Sequence, residues 1–305
     1  MKALFLVLLL ALGGCDMSSP QDLRDMIGRI VGDKVVATPE LGNATVLEGG
    51  IAWYETQIVQ PDGYSLRVWS AIPSGEGEIP VLIWLPTSMA WKIGGRLGPE
   101  DREQMLLFAR AGVGVVGVDV PGGWEDNATL DELGQEVDRF MKSQGGVETG
   151  KATLDFVQTR LPRVDPARTW VSGEGPAGTL ALLLAQADRR VRAVVAFDPV
   201  TDMAAYAASE EVRFLVHLRP DLKGNLSLRS PMAGLERLRC PLLLYHDTVI
   251  HGGNFESLDL FYMQCLRYQK EVTMIDTLDV NPDHAGLGLR TSRTLAWLKS
   301  LGGRI

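Results

Sequence analysis

Residues 169–178 read Thr-Trp-Val-Ser-Gly-Glu-Gly-Pro-Ala-Gly, and no other stretch constrains the fold so tightly. Trp170 and Val171 suit a buried strand, and the run 179–187 (TLALLLAQA) suits a helix. Gly173, Gly175, Ala177 and Gly178 crowd the turn between them. A strand passes into a helix across so short a turn only where the two backbones nearly touch, which small residues permit. The pattern predicts a strand–turn–helix unit.

The rest of the chain extends that unit. A hairpin is expected first: strand 55–59, a Pro61-Asp62-Gly63 turn and strand 64–71. Strand 80–85, helix 99–111, strand 113–120 (VGVVGVDV) and helices 130–141 and 147–161 follow, the last two parted by Gln144-Gly145-Gly146. Beyond strand 169–172 come strands 191–197, 241–245 and 272–276, with helices 257–269 and 291–301. Continuous apolar strands alternating with helices mean an α/β fold, a mostly parallel central sheet with helices on both faces. The expected organisation is a leader at 1–15, a tether and short helix at 16–50, and one domain over 51–305. Leu23, Met26, Ile27, Ile30 and Val31 recur at helical spacing, so the short helix is amphipathic and placed at 21–31.

The leader begins Met1-Lys2, continues through an apolar run at 3–12 and ends Leu12-Gly13-Gly14-Cys15. That form describes a secretory signal, and the run is too short to span a bilayer. Its ending resembles the bacterial lipobox, which implies cleavage before Cys15 and a lipid on that cysteine. The implied location is the cell envelope, anchored to a membrane and facing the periplasm or exterior. A plain cleaved signal and a retained anchor are the other readings. A net charge of −8 argues against nucleic acid as a partner, and no run of Lys and Arg is expected to form a phosphate-binding stripe. Cys240 and Cys265 either meet as a disulfide at the bottom of the sheet or stay as two buried thiols.

Several motifs recur in a familiar order. They are Asp62-Gly63, strand 80–85, Gly117-Val118-Asp119, Val164-Asp165-Pro166-Ala167-Arg168 and the turn at 169–178. Asp198-Pro199-Val200-Thr201-Asp202, Ser230-Pro231 and the run Pro241 to His246 (PLLLYH) complete the series. This order is similar to that of the catalytic domain of prolyl oligopeptidase-type α/β-hydrolases, and dienelactone hydrolases and acetyl xylan esterases share much of it. The resemblance runs from Trp53 to Leu301 and implies the α/β-hydrolase fold. It also implies four parts of a serine hydrolase: a nucleophile on a G-x-S-x-G elbow, a histidine base, an orienting acid and an oxyanion hole.

Matching those parts exposes departures. With Gly173 as the first glycine, Glu174 takes the first x, Gly175 the nucleophile position, Pro176 the second x and Ala177 the last place. No shift of register restores a serine, because Ser172 belongs to the strand and centring on Glu174 puts Pro176 where a small packing residue is needed. His284, in Asp283-His284-Ala285-Gly286-Leu287, stands at the base position, or is an ordinary loop histidine. In the run from His246 to His251, Ile250 falls where the acid is expected and Asp247 replaces a turn glycine. Asp198 or Asp202 could serve as a displaced acid, although Asp202 better suits a local backbone cap. The oxyanion loop reads Pro86-Thr87-Ser88-Met89 in place of His-Gly, and proline has no N–H to donate.

Three functional classes follow. The first is a membrane-anchored protein without serine-hydrolase activity, binding a small molecule, a peptide or a protein partner, with no cofactor and no metal. The second is an active esterase or peptidase in which Glu174, His251 and His284 converge and activate water. Its metal-assisted form uses His246, Asp247, His251, Asp283 and His284. The third is a structural or assembly role, with Trp84, Met89, Trp91 and Trp124 bordering a cleft and residues 203–229 as a lid. For those aromatics, core packing is the plainer reading.

Overall fold

Four runs, IPVLIW, GVVGV, AVVAF and LLLYH, keep nearly every side chain out of water. Strands of this kind need cover on both faces. In the computed structural model of the chain they form the centre of a nine-stranded sheet. The structure describes residues 39–59, 63–89, 94–123, 129–207, 229–246, 255–276 and 284–302. Cys15 and the predicted helix 21–31 lie outside the described residues.

Strands β1 (Thr45–Val46), β2 (Ala52–Val59) and β3 (Ser65–Ile72) form an antiparallel edge. Then come β4 (Ile79–Trp84), β5 (Gly114–Val118), β6 (Val164–Glu174), β7 (Ala193–Phe197), β8 (Leu242–His246) and β9 (Val272–Asp276). Their spatial order is β1-β2-β3-β5-β4-β6-β7-β8-β9. β3 pairs with β5 antiparallel, and from β5 through β9 every neighbour is parallel. All carboxyl ends from β4 onward therefore lie along one edge of the sheet, where ligands of open α/β sheets bind.

The α-helices among the described residues are α1 (Pro99–Arg110), α2 (Leu130–Lys142), α3 (Val147–Arg160), α4 (Pro176–Ala187), α5 (Met203–Ala207), α6 (Phe255–Arg267) and α7 (His284–Leu301). Alternation along the strands sends Leu82, Trp84, Val115, Trp170, Val195, Phe197, Leu243 and Tyr245 into one core layer. Met105 and Phe108 of α1 and Leu298 and Leu301 of α7 fill that layer. Each such side chain contributes about 1.5–3 kcal/mol by leaving water. α3 packs on α4, where a Cβ at Gly150 would press on Leu184.

Two boundaries differ from expectation. β6 starts at Val164, ahead of the expected 169, because its polar first half pairs with β4 through a shift in register between Ile79 and Val81. Asp165 steadies that segment by accepting from the Ala167 N–H and the Arg168 guanidinium. α7 starts at His284, ahead of the expected 291, so the predicted histidine-bearing turn is already helical. Its two early glycines, Gly286 and Gly288, each cost about 1 kcal/mol in a helix, which hides its first turns from a propensity reading.

Candidate functional site

The turn between β6 and α4 holds Gly175 at φ 54°, ψ −120°. Its N–H donates to Phe197 O at 2.7 Å, and its carbonyl accepts from the Thr179 N–H at 3.0 Å. A Cβ at Gly173 would collide with the Ala177 carbonyl, and one at Gly178 would lie 3.0 Å from Gly173 O. The small residues thus do the packing that their spacing predicts. A hydrolase elbow holds its nucleophile under strain on such a turn. Glycine adopts the positive φ without strain and offers no side-chain atom to react.

The turn carries a second departure, legible in the sequence and absent from the expectations above. The residue after the nucleophile normally donates its backbone N–H to the oxyanion. Here that residue is Pro176, the first residue of α4, and it has no N–H. In the loop after β4, the second source of oxyanion donors, three N–H groups are also committed. Leu85 N–H donates to Ser172 O at 3.0 Å and Met89 N–H to Pro86 O at 3.3 Å. Thr87 N–H donates to Asp101 Oδ1 at 2.9 Å. Asp101 is buried in the first turn of α1, where it also accepts from Trp84 Nε1 at 2.9 Å and Gly98 N–H at 2.8 Å. Trp84 is therefore a core residue, its ring tilted against Phe108 at 6.1 Å, and Met89 is buried as well. Trp91 and Trp124 lie outside the described residues.

Glu174, Phe197 and Tyr245 are register partners on β6, β7 and β8, so they project from the same face of the sheet. Phe197 stacks on Tyr245 with ring centroids 4.5 Å apart and planes at 16°. Tyr245 Oη lies 3.0 Å from Thr294 Oγ1 of α7, and burial pushes the phenol above its ordinary range. From the same helix, Arg290 brings its guanidinium to 5.7 Å from the Phe197 ring and to 3.7 Å from Glu174 Oε1. The Glu174 side chain remains 44% exposed, and Arg290 is largely covered.

One residue further along the strands, Asp198 Oδ1 lies 3.4 Å from His246 Nδ1, both groups buried. Asp198 takes φ 44° and donates its N–H to Tyr245 O at 3.0 Å. Of the two candidate displaced acids, Asp198 thus meets a histidine. Asp202 caps the start of α5, accepting from the Ala205 N–H at 3.0 Å. His284 is the first residue of α7. Asp247, His251, Ile250 and Asp283 lie outside the described residues, as does the part of the predicted lid between 208 and 228. Cys240 and Cys265 are free thiols, each pushed up to about 12 by burial.

No family model matches the chain, and no curated protein matches it. Solved structures do match. Against the acylaminoacyl peptidase of Pyrococcus horikoshii the TM-score is 0.64 at 15% identity, covering 83% of this chain and 41% of that one. Against an acetyl xylan esterase from Paenibacillus sp. R4 it is 0.65 at 18% identity, covering 90% and 92%. Against Porphyromonas gingivalis dipeptidyl peptidase 4 it is 0.62 at 17%, covering 82% and 35%. The chain has the α/β-hydrolase fold, in the form shared by these peptidases and esterases. It spans about two fifths of the length of the acylaminoacyl peptidase and nearly all of the esterase.

Proposed function

We propose that this protein uses the α/β-hydrolase fold without serine-hydrolase chemistry, and that it binds a small molecule, a peptide or a protein partner at the carboxyl edge of the sheet. The observation that carries this reading is the pair Gly175-Pro176 at the elbow. Glycine removes the acylation route, and proline removes the donor that would stabilise a tetrahedral intermediate. The bonds that engage Thr87 and Met89 support the same reading, because they draw two N–H groups of the adjacent loop away from any oxyanion. The protein is held at a bacterial membrane by a lipid on Cys15, in keeping with the Leu-Gly-Gly-Cys ending of its leader. Treating the full chain with a fluorophosphonate probe tests the reading. No serine is expected to be labelled, and an adduct on any serine overturns it. Mass spectrometry of the N-terminal peptide tests the anchor, with a diacylglyceryl group on Cys15 as the expected finding.

One observation favours a second reading. Glu174 sits beside Gly175 with its carboxylate half in water and a cation 3.7 Å away. A carboxylate so placed could act as a general base on water in a non-covalent esterase or peptidase. That reading requires ester turnover that Glu174→Gln abolishes.

A further inference from the structure

At the opposite edge of the sheet, where β7, β8 and β9 begin, a cavity of about 330 Å³ opens. Among the described residues, Arg189, Arg192, Arg237 and Arg239 line it, against the single acidic residue Glu271. Val191 and Pro241 contribute apolar surface beneath them. All four belong to water-exposed positions, and cations lining one cavity raise its positive potential and favour an anion there. The chain could supply a counter-charge readily, since its net charge is −8.

Arg190 shows what pairing looks like here. Its guanidinium meets Asp188 at 2.7 Å and Asp155 at 2.5 Å. Its neighbours are treated otherwise. Among the described residues, the side chains of Arg189, Arg192 and Arg239 make no hydrogen bond or ion pair. Arg237 reaches only Glu236, at 3.9 Å. Its guanidinium lies over Gly234, where a Cβ would collide with it and with Gln186 Oε1. The arginines come from two connections, the one between α4 and β7 and the one entering β8, so strand packing brings them together.

We infer that this cavity is an anion site for a small phosphate-bearing ligand, bound by the forked donors of Arg192 and Arg239 and their two neighbours. Arginine presents paired N–H groups that match phosphate oxygens, with no proton to lose near neutral pH. The volume lies near the lower end for small-molecule sites, about 300–1,000 Å³, and so suits a phosphate or diphosphate with a small attached group. Such a group could belong to a soluble metabolite or to a lipid headgroup. This site is separate from the carboxyl edge, and its existence does not depend on the reading given for Gly175.

Calorimetric titration of the full chain with inorganic phosphate and with pyrophosphate is the test. Arg192→Gln/Arg239→Gln is the variant, and Arg110→Gln at the end of α1 is the control. Pyrophosphate is expected to bind at one site, about tenfold or more weakly in the double variant and unchanged in the control. Co-sedimentation with phosphatidylcholine vesicles, with and without phosphatidic acid, separates the sources. A loss in the variant confined to phosphatidic acid vesicles assigns a lipid headgroup, and a loss confined to the soluble probes assigns a free phosphate. Any membrane anchor is common to both proteins and cancels in the comparison. If the double variant does not fold, Arg192→Lys keeps the charge but loses the fork, and a several-fold loss is expected. Probe binding that is absent, or equal in wild type and variant, overturns the inference.

Discussion

At the carboxyl edge of the sheet Glu174 faces Arg290 at 3.7 Å and Asp198 faces His246 at 3.4 Å. At the amino edge Arg189, Arg192 and Arg239 converge on a cavity without an ion-pair partner among the described residues. In hydrolases of this fold the carboxyl edge is where charged groups are aimed at a substrate. Here, among the described residues, Glu174 and Asp198 of that edge face Arg290 and His246, and the amino edge holds the unmatched charge. On the reading proposed above, the reactive edge has lost its chemistry while its packing persists, because the two rest on different atoms. Gly173, Ala177 and Gly178 hold the elbow together, and the nucleophile and the donor after it take no part in that packing.

The largest effect that sharpens this contrast is expected at Gly173. Gly173→Val would drive a side chain into the Ala177 backbone, costing about 3 kcal/mol or more in urea unfolding. A loss below about 0.5 kcal/mol would break the packing half of the comparison. Next comes Asp101→Ala, which leaves Trp84 Nε1 and the Thr87 and Gly98 N–H groups without their acceptor. About 2–3 kcal/mol is expected from the same measurement. Gly175→Ser should cost about 1–2 kcal/mol, because serine must adopt φ 54°. That variant should also hydrolyse nitrophenyl esters no faster than wild type, since Pro176 still lacks a donor. Turnover from Gly175→Ser alone would show that the oxyanion account is wrong. The smallest effects separate two neighbouring arginines. Arg190→Gln should lose about 0.5–1 kcal/mol with its partly exposed pairs, and Arg192→Gln should stay within about 0.5 kcal/mol. Equal losses would erase the distinction between paired and unmatched cations.

Which of these features could be read from sequence depended on how local their causes are. β4, β5, β7 and β8 were legible because four or five consecutive apolar residues admit few other fates in a chain with helices between them. The elbow was legible because close backbone approach demands small residues at fixed spacing. The first half of β6 was not, because Asp165, Pro166 and Arg168 break the apolar pattern and the strand is joined through a bulge. Pro176 lay in plain view, and its consequence follows from the missing N–H alone. The commitments of Asp101 and Arg290 could not be read, since each acts on an element distant in sequence and brought near only by folding. The Asp198–His246 pair is of the same kind, arising where β7 and β8 end side by side. Asp202, by contrast, acts three residues away, and its capping role was visible from the start.

The most direct measurement is steady-state hydrolysis of a nitrophenyl ester by the full chain, compared with its Glu174→Gln variant. Equal rates, neither above the uncatalysed background, are the predicted result. Turnover by the wild type that Glu174→Gln abolishes would contradict the account and place a working carboxylate at the edge read here as chemically silent.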